Sequence, residues 1–179
     1  MPRTITNPGA DEHRVLGIDP GLAHLGIGGV AERGRDPRLV FAELVRTLPS
    51  EGEGVRLARL HAATLAAIDR LHPHALALEG QFFHRQREAA FKVGQAVGMV
   101  RLAAHQRDVP VFEYGPLEVK QTLVGSGRAD KSQVAFMVRA LLGATPAGAA
   151  RGHHASDALA LALTHLARRR IATAADLPR

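Results

Sequence analysis

The feature that most constrains this chain is a change of hydrophobic period part-way along it. Three short apolar runs come first: RVLGID at 14–19, GIGGVAE at 26–32 and LVFAELVRT at 39–47, separated by Asp19-Pro20-Gly21 and by the turn-rich stretch from Glu32 to Pro37. Runs of this length bounded by Gly, Pro and Asp read as consecutive antiparallel strands. Glycines at 26, 28 and 29 weaken the second one, and a close backbone approach would account for them. The spacing then switches. In VRLARLHAATLAAIDRL, the residues Leu57, Leu60, Leu65, Ile68 and Leu71 recur near helical intervals and Pro73 follows the end, the pattern of an amphipathic helix.

From there helices and strands alternate. ALALE at 75–79 reads as a buried strand, Ala89 to Gln106 as a helix, VPVFEY at 109–114 as a strand, and Leu117 to Val124 and KSQVAFMVRALL as two more helices. Asp130 with Gln133 three residues on matches a capping box at the start of the last of these. In ASDALALALTHL the alternation imitates a strand, but the length favours a helix. An antiparallel start followed by alternation predicts an α/β domain with a mixed sheet and helices on both faces. Strand ends and loops at one edge of such a sheet gather the chemistry.

With 179 residues, 46% of them hydrophobic, the chain suits one domain. We expect residues 1–13 to be a disordered lead-in, 14–170 the domain, and 171–179 a flexible tail. Lys and Arg outnumber Asp and Glu by 23 to 17, a net charge of +6, which points to a polyanionic partner. There is no cysteine, so disulfide frameworks and zinc-thiolate sites are excluded and a reducing, cytoplasmic setting is the simplest expectation. No apolar run has the length of a membrane span, and the start MPRTITNPGADEHR lacks the apolar segment of a secretory signal.

Five places carry chemistry. Asp19 ends a buried strand where glycines turn the chain, although Asp-Pro-Gly is also ordinary turn chemistry. Glu79 ends ALALE. Asp157 stands three residues after His154 and four after His153, so either histidine can share its helix face. Three carboxylates and an imidazole from separate segments form the oxygen-rich, partly nitrogen-donating set that suits Mg²⁺ or Mn²⁺. The loop GQFFHRQRE offers Phe82 and Phe83 for stacking on bases, with Arg85 and Arg87 for phosphates. Lys120 and Lys131 flank a Gly-rich loop that leads into a helix N-terminus, where Ser132 follows, a natural phosphate seat.

In this order and spacing, LGIDPG, LALEGQFF, KVGQAVG, PVFEYGPLEVKQTLVGSG, ADKSQVAFMVRALL and ASDALALALTH resemble the bacterial RuvC family of Holliday junction resolvases, within the ribonuclease H-like nucleases. The resemblance covers about Val15 to His165. It implies a five-stranded ribonuclease H-like sheet and four metal-binding catalytic positions, which fall on Asp19, Glu79, His154 and Asp157. Four acids are usual there, so His154 is a departure, and alignment rather than spacing selects it over His153. The resemblance further implies up to two Mg²⁺ or Mn²⁺ ions per subunit. It gives Phe82 a base-stacking role and places Lys120 and Lys131 near the scissile phosphates. It also implies a homodimer that nicks two like-polarity strands of a four-way junction and cooperates with the RuvA and RuvB branch-migration proteins. The expected dimer surface is the helix around KVGQAVGMVRL, with small residues at 94, 96 and 98. Two other readings share parts of the pattern. An actin-like ATPase or kinase has a similar GIDPG turn but needs two related domains, and a noncatalytic junction-binding module would result if His154 could not support the ions.

Overall fold

Glycine and small residues on one side of the first strands, and leucines on the other, decide how this fold is layered. The computed structural model describes residues 12–80, 87–143 and 153–175, apart from the side chains at 87–89 and 173–175. The elements run β1 (Glu12–Asp19), β2 (His24–Arg33), β3 (Asp36–Arg46), α1 (Glu53–Leu71), β4 (Ala75–Glu79), α2 (Arg87–His105), β5 (Val111–Tyr114), α3 (Pro116–Val124), α4 (Lys131–Leu142) and α5 (His153–Ala175). The sheet has the order β3-β2-β1-β4-β5. β1, β2 and β3 pair antiparallel, whereas β4 and β5 join parallel to β1. This is the mixed five-stranded α/β sheet that the change of period predicts.

Side chains alternate across a strand. Leu16, Ile18, Leu76 and Leu78 therefore meet α1 and α2 through Leu60, Ile68, Leu71 and Val100 in one core. On the other face Val15, Val30 and Ala77 meet Leu123 of α3, Val138 of α4 and Leu159 and Leu163 of α5. That second face is floored by glycine. A Cβ on Gly17 would collide with the carbonyl oxygen of Ala158, and one on Gly26 with that of His154. The backbone of α5 thus lies directly on β1 and β2. Residues 158–166 are all buried, because α3 and α4 cover the flanks of a helix whose inner side already touches the sheet. This explains why ALALALTHL is apolar all round and yet helical.

The domain is longer at both ends than its sequence predicts. Residues 12 and 13, expected in the lead-in, belong to β1, because the ladder to β2 continues to Glu12↔Arg33 and Glu12 takes an ion pair from Arg38 at 2.6 Å. Residues 171–175, expected in the tail, continue α5. Just before them Arg170 pairs with Glu32 of β2, which is only 2% exposed, and this holds the last turns on the sheet. The rest of the expected lead-in and tail lies outside the described residues. Among the described residues no helix is long and apolar enough to cross a membrane.

Gly17→Ala tests the contact between helix and sheet. Backbone cannot yield as a side-chain tip can, so we expect a loss of about 2–4 kcal/mol in folding stability. Urea denaturation measures it, and a loss under about 0.5 kcal/mol, the range of an ordinary surface change, contradicts the packing described.

Candidate active site

β1 and β4 are parallel neighbours in register at Ile18↔Leu78. The next residues, Asp19 and Glu79, therefore leave the sheet side by side at its C-terminal edge. α5 begins over the same edge and brings His154 and Asp157, three residues apart, to one side of its first turns. α3 contributes Lys120, and the first residue of α4 is Lys131. All six side chains line one cleft of about 200 Å³, whose apolar floor includes Val119, Val134, Ala160 and Leu161.

Within the cleft four of the groups form two pairs. His154 Nδ1 lies 2.7 Å from Asp19 Oδ2. An ionised carboxylate only accepts, so against it Nδ1 carries the proton, and in the neutral tautomer that fits this contact Nε2 is the nitrogen with the lone pair. Lys131 Nζ reaches Asp157 Oδ2 at 3.5 Å. Burial pushes the Asp19 carboxyl above its ordinary range, against the pull of the hydrogen bond from His154, and the charge of Asp157 adds to the rise. Burial also raises Glu79, helped by the charges of Asp19 and Asp157. Among the described residues no three acids or imidazoles converge as a ready-made cage for one ion. The donor chemistry nevertheless fits a hard divalent cation: three carboxylates and one imidazole nitrogen share a cleft in which two of the acids resist ionisation.

The expected residues fare differently. Asp19, Glu79, His154, Asp157, Lys120 and Lys131 come together, while His153 is exposed at the start of α5. Ser132 does not line the cleft. Its hydroxyl donates to Asp130 Oδ1 at 2.6 Å within the capping box, where Asp130 also accepts from the Gln133 N–H at 2.9 Å. Phe82, Phe83 and Arg85 lie outside the described residues, and Arg87 is described only as the backbone start of α2. One neighbour has no sequence signal beyond its place after the DPG turn: His24, whose ring stacks on His154.

The family model of the crossover junction endodeoxyribonuclease RuvC matches residues 15–165. The chain belongs to the RuvC family. It is 49% identical over 166 residues to the RuvC crossover junction endodeoxyribonuclease of Thermus thermophilus, covering 91% of this chain and 99% of that one. A solved structure of T. thermophilus RuvC in complex with Holliday junction substrate superposes with a TM-score of 0.84, at 49% identity, over 90% of this chain and 97% of that one. The yeast mitochondrial Holliday junction resolvase Ydc2 shares the fold at 12% identity, with a TM-score of 0.62 over 88% of this chain and 81% of its own. The fold is accordingly the ribonuclease H-like one of these resolvases.

The raised Glu79 carboxyl gives a pH test. The folded state binds the proton of Glu79 more readily than the unfolded chain does, so ionising this residue destabilises the fold as pH rises. Without divalent ions, Glu79→Gln should therefore melt at a higher temperature than the unmodified protein near pH 7. The gain should vanish below about pH 4, where the carboxyl is neutral in both states. Melting curves from pH 4 to 8 with chelator check this, and a gain independent of pH contradicts it.

Proposed function

We propose that this chain resolves four-way DNA junctions as a structure-selective endonuclease, making paired symmetric nicks in two strands of like polarity by metal-assisted phosphodiester hydrolysis, in recombination and repair. The observation that carries the reading is the convergence of Asp19, Glu79, His154 and Asp157 with two lysines in one cleft, in a member of the RuvC family. Nucleases of this family depend on divalent metal ions. Asp19, Glu79 and Asp157 would hold them through oxygen and His154 through Nε2, with up to two ions per subunit. Bound there, such ions supply an activated water and neutralise charge on the scissile phosphate and the leaving oxygen.

The residues themselves orient the substrate. Lys120 and Lys131 stand at the cleft, where an ammonium can grip a phosphate oxygen. Seating a phosphate on Lys131 competes with its contact to Asp157. Burial of Asp19 and Glu79 at the base of the cleft limits water around their carboxylates, which strengthens electrostatic contacts made to them. By resemblance, Phe82 stacks on a base near the junction point, and the aromatic and basic character of the same segment suits Phe83 to stacking and Arg85 and Arg87 to phosphates.

A junction with two-fold symmetry calls for two equivalent sites, hence a homodimer. On α2, Phe91 and Leu102 are 66% and 52% exposed, and Gly94 and Gly98 are exposed with open space around them. At spacings of three and four these form one outward stripe, which supports α2 as the dimer surface. Ala96 is fully buried, so the stripe of small residues consists of 94 and 98 without 96. By resemblance the dimer works with the RuvA and RuvB branch-migration proteins in the cytoplasm.

The purified chain incubated with a synthetic four-way junction and Mn²⁺ should cut it, whereas binding without cutting would favour a noncatalytic module. Asp157→Asn should slow cleavage on the order of 100-fold or more, the scale of losing one stabiliser of transition-state charge. Junction binding should be kept or strengthened, because a charge that repels phosphate is gone. If binding collapses together with cleavage, Asp157 is structural. Because imidazole suits softer ions, Mn²⁺ should support faster cleavage than Mg²⁺, and equal rates across a concentration series argue against this preference.

A further inference from the structure

His154 is held at one edge by Asp19, but a single edge contact leaves an imidazole free to pivot about it. The face of the ring is held by another residue. His24 opens β2 straight after the turn that follows Asp19, and its ring lies on that of His154 with centroids 5.2 Å apart and planes within 7° of parallel. Offset stacking of flat rings at this separation is favourable and restricts rotation.

The segment that presents His24 is itself fixed. Thr47, just beyond β3 and only 4% exposed, donates its N–H to the Ala23 carbonyl at 3.1 Å and its hydroxyl to the Leu22 carbonyl at 2.6 Å. Arg56 of α1 donates in turn to the Thr47 hydroxyl oxygen at 2.9 Å. His24 also stands opposite Arg46 in the β2–β3 ladder. A chain of contacts thus runs from α1 through Thr47 and residues 22–23 to His24, then to His154 and Asp19. Nothing about the exposed His24 ring helps to bury the core, so its fixed placement calls for another explanation.

We propose that His24 is a positioning residue: by stacking on His154 it fixes the plane of that ring and so the direction in which Nε2 is presented. The proposal rests on the reading that His154 is one of the metal-holding groups. A ligand nitrogen delivers its lone pair along one direction, and groups that orient ligating histidines govern metal affinity in this way.

The test uses the full chain without DNA and measures Mn²⁺ binding by the electron paramagnetic resonance of the free ion. His24→Ala should weaken Mn²⁺ binding about 3- to 10-fold, while His24→Phe, which keeps a flat ring, stays within about twofold of the unmodified protein. In a His154→Asp background, where no ring is left to orient, His24→Ala should change nothing further. With junction DNA and saturating metal, KM should stay constant for every His24 variant. Unchanged affinity in His24→Ala, an equal loss in His24→Phe, or a loss that persists beside His154→Asp overturns the positioning role. If Asp19→Asn abolishes Mn²⁺ binding while His24→Ala leaves it intact, the metal reading stands and only this inference fails. Undiminished Mn²⁺ binding in both Asp19→Asn and His154→Ala overturns the metal reading and the inference with it.

Discussion

The rest of the molecule depends on the contact between the backbone of α5 and the glycines of β1 and β2. Gly17 lies under the carbonyl of Ala158 and Gly26 under that of His154. From Ala158 back to His154 is four residues of helix, about 6 Å. From Gly17 on to Asp19 is two residues of strand, about 6.6 Å. The two repeats match in length, so fixing Ala158 on Gly17 brings the start of α5 over the end of β1. The sheet register completes the placement, because Gly26 is the cross-strand partner of Asp19. His154 therefore arrives beside Asp19 as a consequence of packing, and any side chain inserted beneath α5 would lift both helix residues away from the strand end.

That geometry concentrates negative charge in a protein whose net charge is +6. Asp157 makes it harder for Asp19 to ionise, and Asp19 and Asp157 together make it harder for Glu79. The framework withstands this repulsion because its anchors lie elsewhere: two separate cores on the two faces of the sheet, the Glu32–Arg170 ion pair at the far end of α5, and the capping box that fixes the start of α4 beneath Lys131. Lys131 is the first helical residue after that cap, so its position follows from Asp130 and Gln133 rather than from its contact with Asp157.

Much of this was legible in the sequence. VLGID and ALALE each consist of apolar residues and glycine closed by one acid, and a buried parallel pair must release those acids together at one edge. The glycines at 26, 28 and 29 were legible as a sign of close approach, though what approaches Gly26 and Gly28 came only with α5, far along the chain, and Gly29 meets the ring of Phe41 instead. The choice between His153 and His154 was not legible from spacing, since both can share a face with Asp157. It depends on how the helix is rotated, which Gly17 and Gly26 decide. Ser132 was ambiguous in the sequence, because a serine at a helix start after a Gly-rich loop suits a phosphate seat and a contact with the capping Asp130 equally well. His24 gave no local signal at all: a stack between residues 24 and 154 exists only in three dimensions.

A histidine at 154, where the resemblance leads one to expect an acid, also bears on how the cleft holds together. A fourth carboxylate at 154 would meet Asp19 as a like charge within a hydrogen bond's length, in surroundings where burial already disfavours the ionised form. A neutral imidazole instead donates through Nδ1 to the carboxylate and keeps a second nitrogen for other use. One repulsive contact becomes an attractive one, and one nitrogen remains as a donor atom. The aromatic ring further allows stacking by a neighbour, which a carboxylate does not, and His24 meets it in that way. The ring at 154 and the ring at 24 therefore act as one feature. With an acid at 154 the face that His24 covers would not exist, and its imidazole would have no flat partner at the mouth of the cleft.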